Sequence, residues 1–106
     1  MHDLKWSERE KKIARRVFEA ALQQELAEVM AKFKEMAAHA EKPEDIWAVE
    51  EWLGGQRRNI DAKYDFRYSQ LIMVFGRLVR EGRITEQQLD GLAEEKLAFI
   101  ERIASL

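Results

Sequence analysis

The sequence predicts an all-α fold in which a long N-terminal helix and a second helix form a dimeric stem, with a small helical head at the C-terminus. Three observations carry the prediction. One proline and five glycines occur in 106 residues, and neither type occurs between Glu8 and Ala40. Apolar residues recur three and four apart, the helical period. Ser7 with Glu10 and Thr85 with Gln88 have the spacing of a capping box, in which each side chain satisfies an unpaired backbone N–H of the other's turn.

The first helix is expected to open at the Ser7 box and run to about Ala40, with apolar residues at Ile13, Val17, Phe18, Leu22, Leu26, Val29, Phe33, Met36 and Ala40. From Leu22 onward the spacing is 4, 3, 4, 3, 4, so Leu22, Leu26, Val29, Phe33 and Met36 form a heptad seam. A helix of about 33 residues is roughly 50 Å long, whereas a compact 100-residue domain has a radius of gyration of about 13 Å. An overhanging apolar seam stays wet in a monomer, so the prediction is a homodimer whose partner helix covers it. The competing arrangement folds the long helix back on shorter helices of its own chain.

Proline at position 43 disfavours helix in the residue before it and starts a new one readily. The second helix should therefore open near Glu44 or Asp45 and bury Ile46, Val49, Leu53 and Ile60. Two interior glycines, Gly54 and Gly55, cost about 2 kcal/mol of helix propensity, at roughly 1 kcal/mol each. Either the helix ends there or a neighbouring backbone packs closely against it.

A third helix is predicted through Leu71, Ile72, Phe75, Leu78 and Val79, stopped by Gly82. The Thr85 box opens a last helical segment, divided near Gly91, whose buried face is Leu89, Leu92, Leu97, Ile100 and Ile103. The chain is read as one domain, residues 1–106, with the stem over about 7–60 and the head over about 61–106.

Composition narrows the function classes. Eighteen basic and twenty acidic residues are interspersed, for a net charge of −2, so no whole-chain field favours nucleic acid or an anionic membrane. The absence of cysteine removes disulfides, thiol catalysis and thiolate metal sites. The longest apolar run is the five residues Leu71 to Phe75, against the roughly 20 that a spanning helix needs, and the start of the chain carries no apolar signal core. A soluble, cytoplasmic protein is expected, without membrane insertion.

Residues 63–68, Lys-Tyr-Asp-Phe-Arg-Tyr, alternate charge with aromatic rings in a way that amphipathic helices do not need. Lys63-Tyr64-Asp65 and Arg67-Tyr68-Ser69, with Asp45-Ile46-Trp47, Leu53, Arg57, Ile60-Asp61, Val74-Phe75, Glu81-Gly82 and Leu89-Asp90-Gly91-Leu92, resemble the fluorescence recovery protein family. These small all-α regulators act on the orange carotenoid protein of cyanobacteria. The matching residues span roughly the C-terminal half, and the N-terminal third matches as a long helix opening at Trp6-Ser7. The resemblance implies a dimeric, cofactor-free regulator that binds the photoactivated carotenoid protein and speeds its return to the resting state. The alternative is a dimeric helical interaction module of the same family with a different protein partner.

Trp47, Glu50, Glu51, Gly54, Arg57 and Arg58 fall at offsets that share one helix face. In the resembling family a tryptophan, an acid and an arginine at the positions of Trp47, Glu51 and Arg57 form the patch tied to dimer contact and activity. The bland reading is a half-buried tryptophan beside solvated ion pairs, each worth about 0–1 kcal/mol. The family pattern has a histidine followed by an aspartate where Glu50-Glu51 stand. Its partner-contacting aromatic and basic residue in the head correspond to Met73 and Phe99, so neither type is retained. Both could instead be core positions.

Catalysis has little support. His2 is expected in a frayed terminus, and His39 near a helix C-terminus, which favours a cationic imidazole. Glu50/Glu51 and Glu94/Glu95 are adjacent rather than converging. No Glu-x-x-His metal spacing occurs, so no metal, cofactor or catalytic residue is assigned. A DNA reader built on the turn at Gly82 would open its recognition helix with Glu86 and Asp90 facing phosphate, which argues against nucleic acid. The arginines Arg77, Arg80 and Arg83 are expected to pair with Glu81, Glu86 and Asp90.

Overall fold

Ser7 and Glu10 close the predicted box: the Ser7 N–H donates to Glu10 Oε1 at 3.0 Å and the Glu10 N–H to Ser7 Oγ at 3.1 Å. In the computed structural model, which describes residues 4–106, this cap opens helix α1, Glu8–His39. Helix α2, Pro43–Lys63, follows, with proline as its first residue. The Glu41 and Lys42 N–H groups donate to Asp45 Oδ2 at 2.9 and 3.0 Å, which caps α2 and holds the Asp45 carboxyl below its usual range. His2 lies outside the described residues.

Helix α3, Leu71–Arg80, ends as expected at Gly82, whose φ is 75°. Arg83 N–H bonds to the Leu78 carbonyl at 2.9 Å and Gly82 N–H to that of Val79 at 3.0 Å, the paired closure of a Schellman motif. Thr85 and Gln88 form the second capping box, but it opens only a 3₁₀ turn, Glu86–Leu89. Gly91, at φ 107°, then redirects the chain into helix α4, Glu94–Ala104. No strand occurs among the described residues.

The chain divides into two compact units, residues up to Ala21 with Tyr64–Leu106, and Leu22–Lys63. The first 14 residues of α1, nearly four turns, which apolar spacing alone assigns to the stem, therefore share a unit with the C-terminal helices. The core of that unit is Ile13, Ala14, Val17, Phe18 and Ala21 of α1 with Leu71, Ile72, Val74, Phe75, Leu78, Ile84, Leu89, Leu92 and Ile100. Four of the five apolar residues 71–75 are thus in the core, and Met73 alone faces out, 49% exposed.

Within this unit α3 and α4 meet at Gly76. A Cβ there would lie 2.4 Å from Ile103 Cγ2 and 2.7 Å from Ile103 Cβ, and the β-branched isoleucine has little rotamer freedom to retreat. Gly76→Ala is expected to lower stability by about 1–3 kcal/mol despite its gain in helix propensity. A thermal melt at or above the parent's would remove the close-packing argument.

The second unit is a helical hairpin of the remainder of α1 and all of α2, returned by residues 40–42 so that Glu25 meets Lys63. Here the expected burial of Ile46, Val49 and Leu53 is corrected. Ile46 is 56% exposed, Val49 is half-buried and Leu53 is exposed, leaving Ile60 and Lys63 as the buried residues of α2.

Candidate functional site

Helix α2 continues through Gly54-Gly55, so Trp47, Glu50, Glu51, Gly54, Arg57 and Arg58 do share one helical face. Neither alternative posed by the glycines holds within the chain. A Cβ on Gly54 would meet only Arg58 Nη1, at 3.4 Å, and one on Gly55 only Arg58 Nη2, at 3.8 Å. The helix therefore bears the propensity penalty of two glycines for which its own backbone neighbours supply no reason.

The face is open, with charged residues on either side of Trp47 and Gly54. Trp47 is 63% exposed, beyond the half-burial of the bland reading. Glu50 and Glu51 are exposed, and Arg57 reaches Asp61 at 3.7 Å one turn on, a surface pair worth little by itself. On α1, Leu26 and Met30 are exposed, while Leu22, Val29, Phe33 and Met36 of the predicted seam are only half-buried. A groove of about 440 Å³ gathers Leu26 and Val29 from the seam with Glu50, Leu53, Gly54, Arg57 and Ile60 from α2. Trp47 and Glu51 lie outside that lining.

A buried ion pair closes the inner end of this unit. Lys63 Nζ donates to Glu25 Oε2 at 2.8 Å, with both side chains under 10% exposed. Desolvating two charges roughly cancels their attraction, so the pair fixes geometry more than it adds stability. The sequence signal was present but faint: Glu25 follows Leu22 by three residues and precedes Leu26, an acid on the apolar side of α1.

The other unit holds a second such pair. Glu10 accepts the Ser7 N–H, the Ala93 N–H at 2.8 Å and the Lys96 ammonium at 3.0 Å from each oxygen. Burial alone would raise the Glu10 pKa, but the Ser7 and Ala93 amides and then Lys96 outweigh it and bring the carboxyl from 4.5 down to about 2. Lys96 also donates to the Lys5 carbonyl at 2.6 Å. The capping box identified Glu10 as a local cap and gave no sign of a partner 86 residues away.

The rings of the charged-aromatic run pack on the start of α1. Phe18 meets Phe66 and Tyr64 edge-on with centroids 4.9 and 5.4 Å apart, and Tyr68 joins Phe66 to Trp6 at 5.7 and 5.8 Å. Arg15 lies over Phe66 at 3.9 Å and Lys11 over Tyr68 at 5.3 Å. The alternation of charge and ring thus serves intramolecular packing.

Of the two head positions, Met73 is exposed and Phe99 is half-buried, its ring 5.7 Å from the Arg102 guanidinium. Arg77 and Arg83 pair with Glu81 at 2.8 and 3.7 Å. His39 donates through Nδ1 to the Glu35 carbonyl at 2.8 Å, which accounts for it structurally. Among the described residues no group of three or more His, Cys, Asp or Glu side chains is placed to hold a metal. No helix of the described chain is long and apolar enough to cross a membrane.

Residues 6–104 match the family model described as photoprotection regulator fluorescence recovery protein. The fluorescence recovery protein of Synechocystis sp. PCC 6803 is 35% identical over 101 residues, covering 95% of this chain and 93% of that protein. The solved structures of the Fremyella diplosiphon and Synechocystis fluorescence recovery proteins both superpose with a TM-score of 0.90. Their identities are 31% and 34%, over 96% of this chain and 100% of each of theirs.

Proposed function

Because the chain belongs to the fluorescence recovery protein family of photoprotection regulators, we propose that it binds photoactivated orange carotenoid protein and accelerates its return to the resting state. The observation that carries the reading is the family match over residues 6–104, which takes in both compact units. Family membership implies a regulator acting on a protein partner, a role that in general needs no chemistry of its own. Binding that favours the resting conformation, or the region of the barrier leading to it, suffices to speed the change.

The regulator works in the cytoplasm as a homodimer, without cofactor, catalytic residue, nucleic acid or membrane insertion. Dimerisation is supported by the open apolar face of the Leu22–Lys63 unit and by the unexplained glycines at its centre. The seam residues Leu22, Leu26, Val29, Phe33 and Met36, with Trp47, Glu50, Glu51 and Arg57 at the margin, form the contact. Met73 and Phe99 belong to the partner-facing surface of the other unit. The stem and head of one 1–106 domain are the functional division of the chain.

The test is to mix the protein with photoactivated carotenoid protein and time the red-to-orange recovery. Substoichiometric amounts should shorten it, and an unchanged rate over a wide excess would sink the proposal. Exposure of Met73, where the family places an aromatic ring, favours a second reading, the same dimeric scaffold with another protein partner. An intact dimer with no effect on recovery, together with restored recovery in Met73→Phe, would distinguish a changed contact from a changed partner.

A further inference from the structure

The opening of α1 is net positive. Residues 4–21 carry six basic and three acidic side chains, against six and nine over 22–63 and six and seven over 64–106. Its cations sort onto two stripes. Lys11 and Arg15 are engaged, with Glu8 at 3.3 Å, Glu19 at 3.6 Å and the rings of Tyr68 and Phe66. Arg9, Lys12 and Arg16, at i, i+3 and i+7, are exposed and among the described residues are paired with no carboxylate.

That second stripe borders a groove. Arg9 lies against the Gly91 turn, its Nη2 3.6 Å from where a Gly91 side chain would begin. Arg16, Val17 and Ala20 line about 390 Å³ together with Gln87, Gln88 and Asp90. Gln88 Oε1 is held by the Thr85 N–H at 2.8 Å, so the amide's NH₂ is left to donate. The groove therefore offers a guanidinium and an amide donor above a small apolar floor.

We propose that this groove and stripe dock a short acidic helix of a partner protein. Arg9 and Arg16 are about 10.5 Å apart along α1, two helical turns, which matches carboxylates at the same spacing on a facing helix. An apolar side chain one turn beyond the carboxylate that meets Arg16 would rest on Val17 and Ala20, and the Arg16 fork takes a carboxylate in two parallel hydrogen bonds. Glu8 and Glu19 bound the stripe along α1, and Asp90 stands on the groove rim. A phosphate backbone or anionic bilayer extends past those acids and meets repulsion, whereas a two-turn acidic segment does not.

The experiment is an amide-shift titration of the full, ¹⁵N-labelled chain with an alanine-based helical peptide carrying glutamates two turns apart and a leucine one turn beyond one of them. Shifts confined to residues 9–20 and 85–91 are expected, absent with the lysine-substituted peptide. They should weaken as ionic strength rises, because the pairs are exposed. Lys12→Glu touches no packing contact and should weaken binding about five-fold, while Arg16→Gln should weaken it further with an unchanged melt. Shifts scattered equally over Arg77, Arg80 and Arg102, or affinity unchanged in Lys12→Glu, would overturn the proposal. Tighter binding of a short DNA duplex or of phosphatidylglycerol vesicles to the same amides would also overturn it. So would the same shifts appearing with protein concentration alone, which would assign the groove to a second copy.

Discussion

Glu10→Ala is expected to destabilise the protein by about 3–5 kcal/mol, the usual effect of stranding a buried charge. The substitution leaves the Lys96 ammonium buried, 4% exposed as a residue, with only the Lys5 carbonyl as a hydrogen-bond acceptor. It also removes acceptors from the Ser7 and Ala93 N–H groups, one opening α1 and the other preceding α4. Native stability is commonly about 5–15 kcal/mol, so a loss of this size is a large part of the whole. Denaturant unfolding measures it, and Lys96→Met in the Glu10→Ala background should recover part of the loss by removing the unpaired charge. If Glu10→Ala changes the midpoint by no more than a surface substitution does, the Glu10–Lys96 pair does not hold the unit together.

The same carboxylate sets a pH window. Its folded pKa of about 2 lies below the unfolded 4.5, so the folded state binds its proton less readily. The stabilisation is present above about pH 5 and is lost as pH falls toward 2, amounting to about 3 kcal/mol at full effect. A urea midpoint that falls across that interval in the parent and flattens in Glu10→Gln is the expected signature.

Leu26→Glu and Phe33→Glu are each expected to turn a dimer into a monomer in light scattering. Leu26 is 40% exposed at the edge of the α1–α2 groove, where a second chain would bury it, and a carboxylate placed there loses its water without gaining a partner. Gly54→Ala separates association from folding. In the single chain the new methyl touches only the Arg58 guanidinium and gains about 1 kcal/mol of helix propensity, so the fold should be as stable or more so. In a dimer whose facing helix seats over Gly54 the methyl obstructs close approach, so the dimer should weaken. Two dimeric glutamate variants would remove the seam from the interface, and an unaffected Gly54→Ala dimer would leave the glycines unexplained.

What could be read from the chain follows from distance along it. The two capping boxes, Pro43 at the start of α2 and Gly82 at the end of α3 are contacts within a few residues, so residue type and spacing determine them. The apolar run 71–75 announced core for the same reason, although which one of the five residues would face out depended on the packing of α3 against α4. The Thr85 box shows the limit of local signals. It specifies how a turn begins, but Gly91 at φ 107°, seated against Ile13 of α1, ends that turn after Leu89.

The candidate sites were legible as composition and not as geometry. Trp47, Glu50, Glu51 and Arg57 announce a shared face because helical periodicity alone places them there. Whether Ile46 and Leu53 beside them are covered is a matter of what stands opposite, and among the described residues they are left 56% and 37% exposed. The aromatic run pointed to a contact, yet its partner on α1 lies some 48 residues earlier, at Phe18 against Phe66. By itself the sequence determined the helices, their caps and the family, since these rest on short-range spacing and on residue identity. Only the tertiary structure decided that Glu10 pairs with Lys96 and Glu25 with Lys63, and that the start of α1 joins the C-terminal unit. Those outcomes depend on charges and rings distant in sequence being brought together and dried, and no local pattern encodes which of the many available partners will be the one buried.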